Sequence, residues 1–321
     1  MIGKLVRTLL GAAIEGFQRF PVTVFGILAL AIISNLDIAD VLNLSGSQDY
    51  QLLLAFSMAS LVKQIGVESY GYNARLRHFA ALIAGVIAAA LVWFAKDIGL
   101  SPIAFFASLI GAIFVAAHWF RGTSEGFWFY VSRLIFAVAL AFVAVIVFGL
   151  GVSAILASLD YLFGVDVPSR LYQHIWATSL IAAGPIFALG RIPEDFDALP
   201  VIDGNNHSIA GLRLLSDYLA APLLAVYALI LHAYALKILI TGDVPEGQIG
   251  WMVIGFGTLI IFFWKVMLPL RDALTRSGRL FLKLWPILVI VPMILLGYAL
   301  YLRIGEYGVT PDRYFWRRLA D

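Results

Sequence analysis

A chain of 321 residues fills one large domain or two ordinary ones. Hydrophobic residues make up 62% of it, against about half in a soluble domain, and charged residues 13%, against about a quarter. That apolar excess belongs in a bilayer. The net charge of +2 argues against nucleic acid, and the absence of cysteine excludes disulfides, thiolate metal sites and cysteine nucleophiles.

Residues 1–20 place Ile2, Leu5, Val6, Leu9, Leu10, Ala13 and Phe17 at helical spacing, with Lys4, Arg7, Glu15 and Gln18 elsewhere. They lack the continuous apolar core and cleavage site of a signal peptide. The expectation is an N-terminal interfacial amphipathic helix leading to Pro21, with a simple extension of the first span as the alternative.

Spanning helices need about 20 mostly apolar residues. Segments 21–38, 50–67, 79–95, 102–120, 131–152, 171–190, 217–240, 249–269 and 284–302 meet that description. The expected fold is therefore all-α, a polytopic transmembrane helical protein of about nine spans, eight to ten. Lys63 and Gln64 weaken the second span, and Gly184-Pro185 the sixth. The fifth continues apolar to Phe163 and is expected to bend after Gly149 and Gly151.

Loop charge sets the orientation. With the N-terminus inside, inner segments carry 15 Lys and Arg, while the outer loops hold 3 (Lys96, Arg170 and Lys237). Arg303, Arg313, Arg317 and Arg318 sit in a tail that nine spans would put outside, against the trend. The organisation expected is a six-helix membrane region over 21–190, a cytoplasmic polar loop over 191–216, a three-helix region over 217–302 and a capped interfacial tail over 303–321. No internal repeat is visible, so an inverted-repeat transporter is unsupported.

The helix from Asp217 to Ile240 is the expected packing centre. Ala221, Ala225, Ala228, His232 and Ala235 form a small-residue stripe with one imidazole, beside Leu224, Tyr227, Leu231 and Tyr234. His232 lies about 22 Å along the axis from Asp217, at hydrocarbon depth. It relays protons or binds a substrate, or it is a neutral packing histidine. Lys265 interrupts an apolar run, as a snorkelling anchor or as the partner of Asp217. His118 and His174 suit interfacial positions. No ligand spacing or HExxH occurs, so no metal is expected. Glu194, Asp195, Asp197 and Asp203 read as a solvated loop more simply than as a cation site. No phosphate-binding glycine loop or GxSxG elbow is present, and no cofactor is implied.

The chain closes on Arg303-Ile-Gly-Glu306-Tyr307-Gly308-Val-Thr310-Pro-Asp-Arg313-Tyr-Phe. Physically, Gly308 permits a turn, Thr310 can cap a helix starting at Pro311, and the aromatic and basic residues suit an interface. The phrase resembles the end of an uncharacterised bacterial membrane-protein family, domain of unknown function 4153. The resemblance extends back through Pro245-Glu246-Gly247 and the helix 217–240, and is strongest over 213–315. It implies an integral bacterial membrane protein, with no known reaction or catalytic residue. The family pattern also implies another membrane helix soon after the motif; the sequence stops at Asp321, as a short member or a truncated form would.

Three function classes stay open, with lipid as the certain neighbour and a protein partner or second copy unassigned. A permease for a small solute or ion in the bacterial inner membrane would use His232, Tyr227 and Tyr234 as a polar path. An accessory or assembly protein would use that stripe for packing. An enzyme on lipid-linked substrates would need a clustered acid, base or metal, and none can be assembled. Permease-like passage stands first.

Overall fold

The computed structural model describes residues 16–42, 48–95, 99, 101–119, 122–196, 213, 215–242, 249–271 and 274–307. The described residues are helical throughout, apart from short connections, and contain no strand. In chain order the helices are α1 (Pro21–Ile38), α2 (Gln48–Ser69), α3 (Ala74–Trp93), α4 (Pro102–Val115), α5 (Ser124–Phe163), α6 (Ser169–Thr178), α7 (Gly184–Leu189), α8 (Ala221–Thr241), α9 (Ile249–Met267) and α10 (Arg276–Tyr307). A tight 3₁₀ turn, Ala116–His118, extends α4, and another, Leu268–Leu270, extends α9. A π-helical stretch, Ser179–Ala183, joins α6 to α7, and a second, Leu215–Ala220, leads into α8.

Local chemistry sets several boundaries. Pro21 and Pro102 open α1 and α4, where a missing N–H costs nothing. Asn73 caps α3 by accepting the Leu76 N–H at 2.9 Å. Gly242, at φ 72°, closes α8 with its N–H on the Ile238 carbonyl.

All nine expected segments are helical, and seven of the helices are long and apolar enough to cross a membrane. The fourth, Pro102–His118, is shorter, and the sixth is the composite of α6, the π stretch and α7. Nine therefore holds as an approximate count. The chain is a multi-pass membrane protein. Its surface agrees: Ile103, Leu239 and Trp251 are 84%, 83% and 80% exposed, a condition that suits acyl chains and not water.

The fifth segment, expected to bend after Gly149 and Gly151, stays helical through both: α5 runs 40 residues, Ser124–Phe163. Both glycines make room for neighbours. A Cβ on Gly149 would sit 2.8 Å from the Trp176 ring, and one on Gly151 2.8 Å from Leu223. Residues 1–15 of the expected interfacial helix lie outside the described residues, as does most of the polar loop, 197–212. At the loop's beginning Ile192 and Phe196 are buried, while Glu194 and Asp195 are exposed.

The chain divides into two compact units. The first is formed by the described residues of Met1–Gly149 and Pro168–Gly204, the second by those of Leu150–Val167 and Asn205–Asp321. In the first unit, Phe20, Val24, Ile65, Tyr130 and Leu189 form part of one core. Helices α1, α2 and α3 approach closely because α2 wedges Phe56 between two glycines. A Cβ at Gly26 would come 2.7 Å from that ring, and one at Gly85 2.7 Å from the ring and 3.0 Å from the Phe56 carbonyl oxygen.

Gly85→Ala is therefore expected to destabilise the protein by about 1–3 kcal/mol through overpacking. Gly111→Ala on α4, where nothing lies within 4 Å, should leave stability unchanged or slightly raised. Thermal unfolding of the two variants in one detergent checks the contrast.

Candidate functional site

The polar residues singled out in the second unit each meet a different group. On α8 the buried residues are Ala221, Leu224, Ala228, Leu231, Tyr234 and Ile238, so His232 lies at the flank of the packed face, half-buried. Its Nδ1 is 2.7 Å from the Ala228 carbonyl oxygen on its own helix, so Nδ1 donates a hydrogen bond to that oxygen. The Tyr227 hydroxyl lies 3.2 Å from that of Ser158, and its ring packs on Phe256 at 5.6 Å. Tyr234 is buried edge-on to Phe163, with no hydroxyl partner among the described residues.

Lys265 is exposed, with its ammonium 4.9 Å from the Trp264 ring centroid, a snorkelling posture. It is not the partner of Asp217. That carboxylate, 1% exposed, caps α10 instead. Oδ1 accepts the Gly278 N–H at 2.7 Å and the hydroxyls of Thr275 and Ser277 at 2.9 and 3.2 Å, while Oδ2 accepts the Thr275 N–H at 2.6 Å. Arg213 Nε stands 4.0 Å away. A negative group on the free N–H groups of a helix start is satisfied by the macrodipole as well as by hydrogen bonds. Gly278 must be small, since a Cβ there would lie 2.5 Å from Oδ1.

In the closing motif, Arg303, Glu306 and Tyr307 fall in the last turns of α10, which continues past the expected boundary at 302. Gly308, Thr310 and Arg313 lie outside the described residues.

The first unit holds a charged cluster that the sequence reading did not assemble. Glu68, near the end of α2, accepts from Arg19 Nε at 2.9 Å and pairs with Arg77 Nη1 at 2.7 Å. Arg19 also donates to the carbonyls of Ile192 and Pro193, at 2.6 and 2.7 Å, and its guanidinium lies over the Phe196 ring at 5.6 Å. Gln64 donates to the Arg19 carbonyl. Side-chain exposures of 15%, 13% and 21% for Arg19, Glu68 and Arg77 make the cluster part-buried. One signal was available in sequence: Ser57, Ser60, Gln64 and Glu68 recur at three, four and four residues, a polar stripe along one face of α2.

Two cavities flank this cluster. A polar pocket of about 390 Å³ is lined by Gln18, Arg19, Glu68, Arg77, Gly190 and Glu194, among others. An apolar cavity of about 690 Å³ is walled by α1, α2, α4, α5 and the run from Leu180 to Ile192. Leu189 and Ile192 line both.

The family model of a domain of unknown function, DUF4153, matches residues 22–316, nearly the whole chain. The chain belongs to the DUF4153 family. The match reaches well beyond the last third, where the closing motif lies. Among curated proteins, Uncharacterized protein PM1469 of Pasteurella multocida (strain Pm70) is 27% identical over 187 residues, which is 57% of this chain and 30% of that protein's length. This DUF4153 chain thus spans less than a third of that relative. No solved structure matches.

Removing the carboxylate in Asp217→Ala leaves the buried N–H of Gly278 and the part-buried N–H of Thr275 without acceptors, at about 1–3 kcal/mol for the buried group and less for the other. Asp217→Asn keeps one acceptor oxygen and is expected to fall between wild type and Ala. Thermal unfolding, with amide exchange read at the start of α10, checks both the order and the place.

Proposed function

We propose that this protein is a permease-like protein of the bacterial inner membrane, N-terminus in the cytoplasm, which passes a largely apolar amphiphile of lipid type. The orientation rests on the 15-to-3 distribution of Lys and Arg between the expected inner and outer segments. The observation that carries the function is the apolar cavity of the first unit. At about 690 Å³ it falls within the range of small-molecule sites. Five helical segments wall it, and their side chains offer an apolar surface to a hydrocarbon chain entering from its open side.

The His232 stripe is the less favoured path. Its imidazole is engaged with its own helix, and Asp217 and Tyr227 are engaged with neighbouring helices. Those bonds favour, as the second reading, an accessory protein in which the polar residues of the second unit serve packing.

In proteoliposomes carrying tail-labelled fluorescent phosphatidylglycerol, the protein should let a membrane-impermeant quencher reach label beyond the outer leaflet's share. Ala141→Trp, which fills the cavity, should slow that exposure by about tenfold, equivalent to about 1.4 kcal/mol of barrier. Equal rates for wild type and protein-free liposomes overturn the reading. Loss of passage in His232→Ala, with Ala141→Trp at the wild-type rate, moves the path to α8.

A further inference from the structure

We propose that the first unit binds one anionic phospholipid, its phosphate at Arg77 and Arg19 and a hydrocarbon chain in the apolar cavity. This names an occupant for the cavity and rests on the passage reading only for its use as cargo. Two features of the cavity select hydrocarbon. Its lining is aliphatic and aromatic except for Thr23 and Ser57. Both hydroxyls are already engaged: Thr23 with Ser60 at 3.2 Å, and Ser57 as a donor to the Leu53 carbonyl at 2.7 Å. A polar solute would lose its hydration there and gain little in return.

The adjoining pocket selects a negative charge. Two guanidiniums converge on the single carboxylate of Glu68, so among these three part-buried groups one positive charge is in excess. Arg77 keeps its buried Nε–H without a partner among the described residues, a group whose isolation is costly unless something accepts from it. Glu194 also lines the pocket, but it is exposed, where solvent screens it. Guanidinium and phosphate oxygens match in geometry as well as in charge.

The two spaces are stacked in the order a lipid requires. Arg19 stands just before α1, about one helical turn from Thr23, and along α1 Leu30 lies a further 10 Å or so into the cavity. Along α2 the same order runs from Glu68 through Leu61 to Leu54. Leu189 and Ile192, shared by both spaces, stand where the headgroup would meet the chain.

Native mass spectrometry of the full chain, released from detergent with added phosphatidylglycerol, phosphatidylcholine or oleate, tests the assignment. Wild type should retain phosphatidylglycerol about tenfold better than phosphatidylcholine, whose choline cation offsets the charge of its own phosphate and is repelled by the two guanidiniums, a difference of about 1.4 kcal/mol. Arg77→Gln should bring the two lipids level. Ala141→Trp should reduce retention of both, with Ala188→Phe as the substitute if that variant unfolds in a thermal scan. Equal retention of the two lipids by wild type, or unaltered preference in Arg77→Gln, overturns the proposal. Oleate held as well as phosphatidylglycerol overturns the phosphate assignment. Selective binding without quencher exposure would remove passage and leave the site; passage without selectivity would do the reverse.

Discussion

Hydrocarbon accepts no hydrogen bonds, and that single constraint organises what this chain does with its polar atoms. Backbone groups are consumed inside helices, so the fold reduces to how helices meet and where their ends find partners. Side-chain hydroxyls on the spans turn back onto their own helix: Ser57 onto Leu53, Ser158 onto Ala154, Ser179 onto Ile175 and Thr258 onto Ile254. His232 does the same with its imidazole. Polar residues in this protein mostly close local accounts. The few that reach across helices therefore mark places where position is specified.

Two such places stand out, one in each unit. In the first, Glu68 and its two arginines tie the beginning of α1 to α2, α3 and the segment after α7. In the second, Asp217 ties the π stretch before α8 to the start of α10. Both use a carboxylate as the hub, because two oxygens can accept several donors at once. Close packing supplies the rest. The Phe56 ring sits between Gly26 and Gly85, and Trp176 lies against Gly149, each aromatic filling the space a missing Cβ leaves. In lipid, where apolar contact alone does not favour protein over solvent, that fit is a main source of helix association.

The sequence made much of this legible, and the limits are physical. Apolar runs of span length are unmistakable, so the all-α membrane fold and the approximate number of helices could be read directly. Whether 102–120 crosses, or how α6 and α7 join through a π stretch, depends on local hydrogen bonding that composition does not encode. The glycines of α5 were ambiguous for a related reason: Gly149 and Gly151 weaken a helix in isolation, yet here they admit Trp176 and Leu223, and packing decides. The Arg19–Glu68–Arg77 cluster was hidden by distance, since its members were visible only as charges on separate loops. Asp217 was notable in sequence, with Lys265 weighed as its counter-charge against a snorkelling role. A lysine was the obvious counter-charge, whereas the start of α10 was a stronger donor set that no side-chain inventory contains.

The knot at Asp217 carries an implication for motion. Its carboxylate holds two backbone amides and two hydroxyls from residues 58 to 61 positions away. A slide of α10 along its axis by even one residue, about 1.5 Å, would strip those donors from a carboxylate sealed away from solvent. Rotation about that point disturbs them far less. Rearrangement within the second unit should therefore swing α10 around a fixed pivot at its Arg276 end, with the largest excursions at the Tyr307 end.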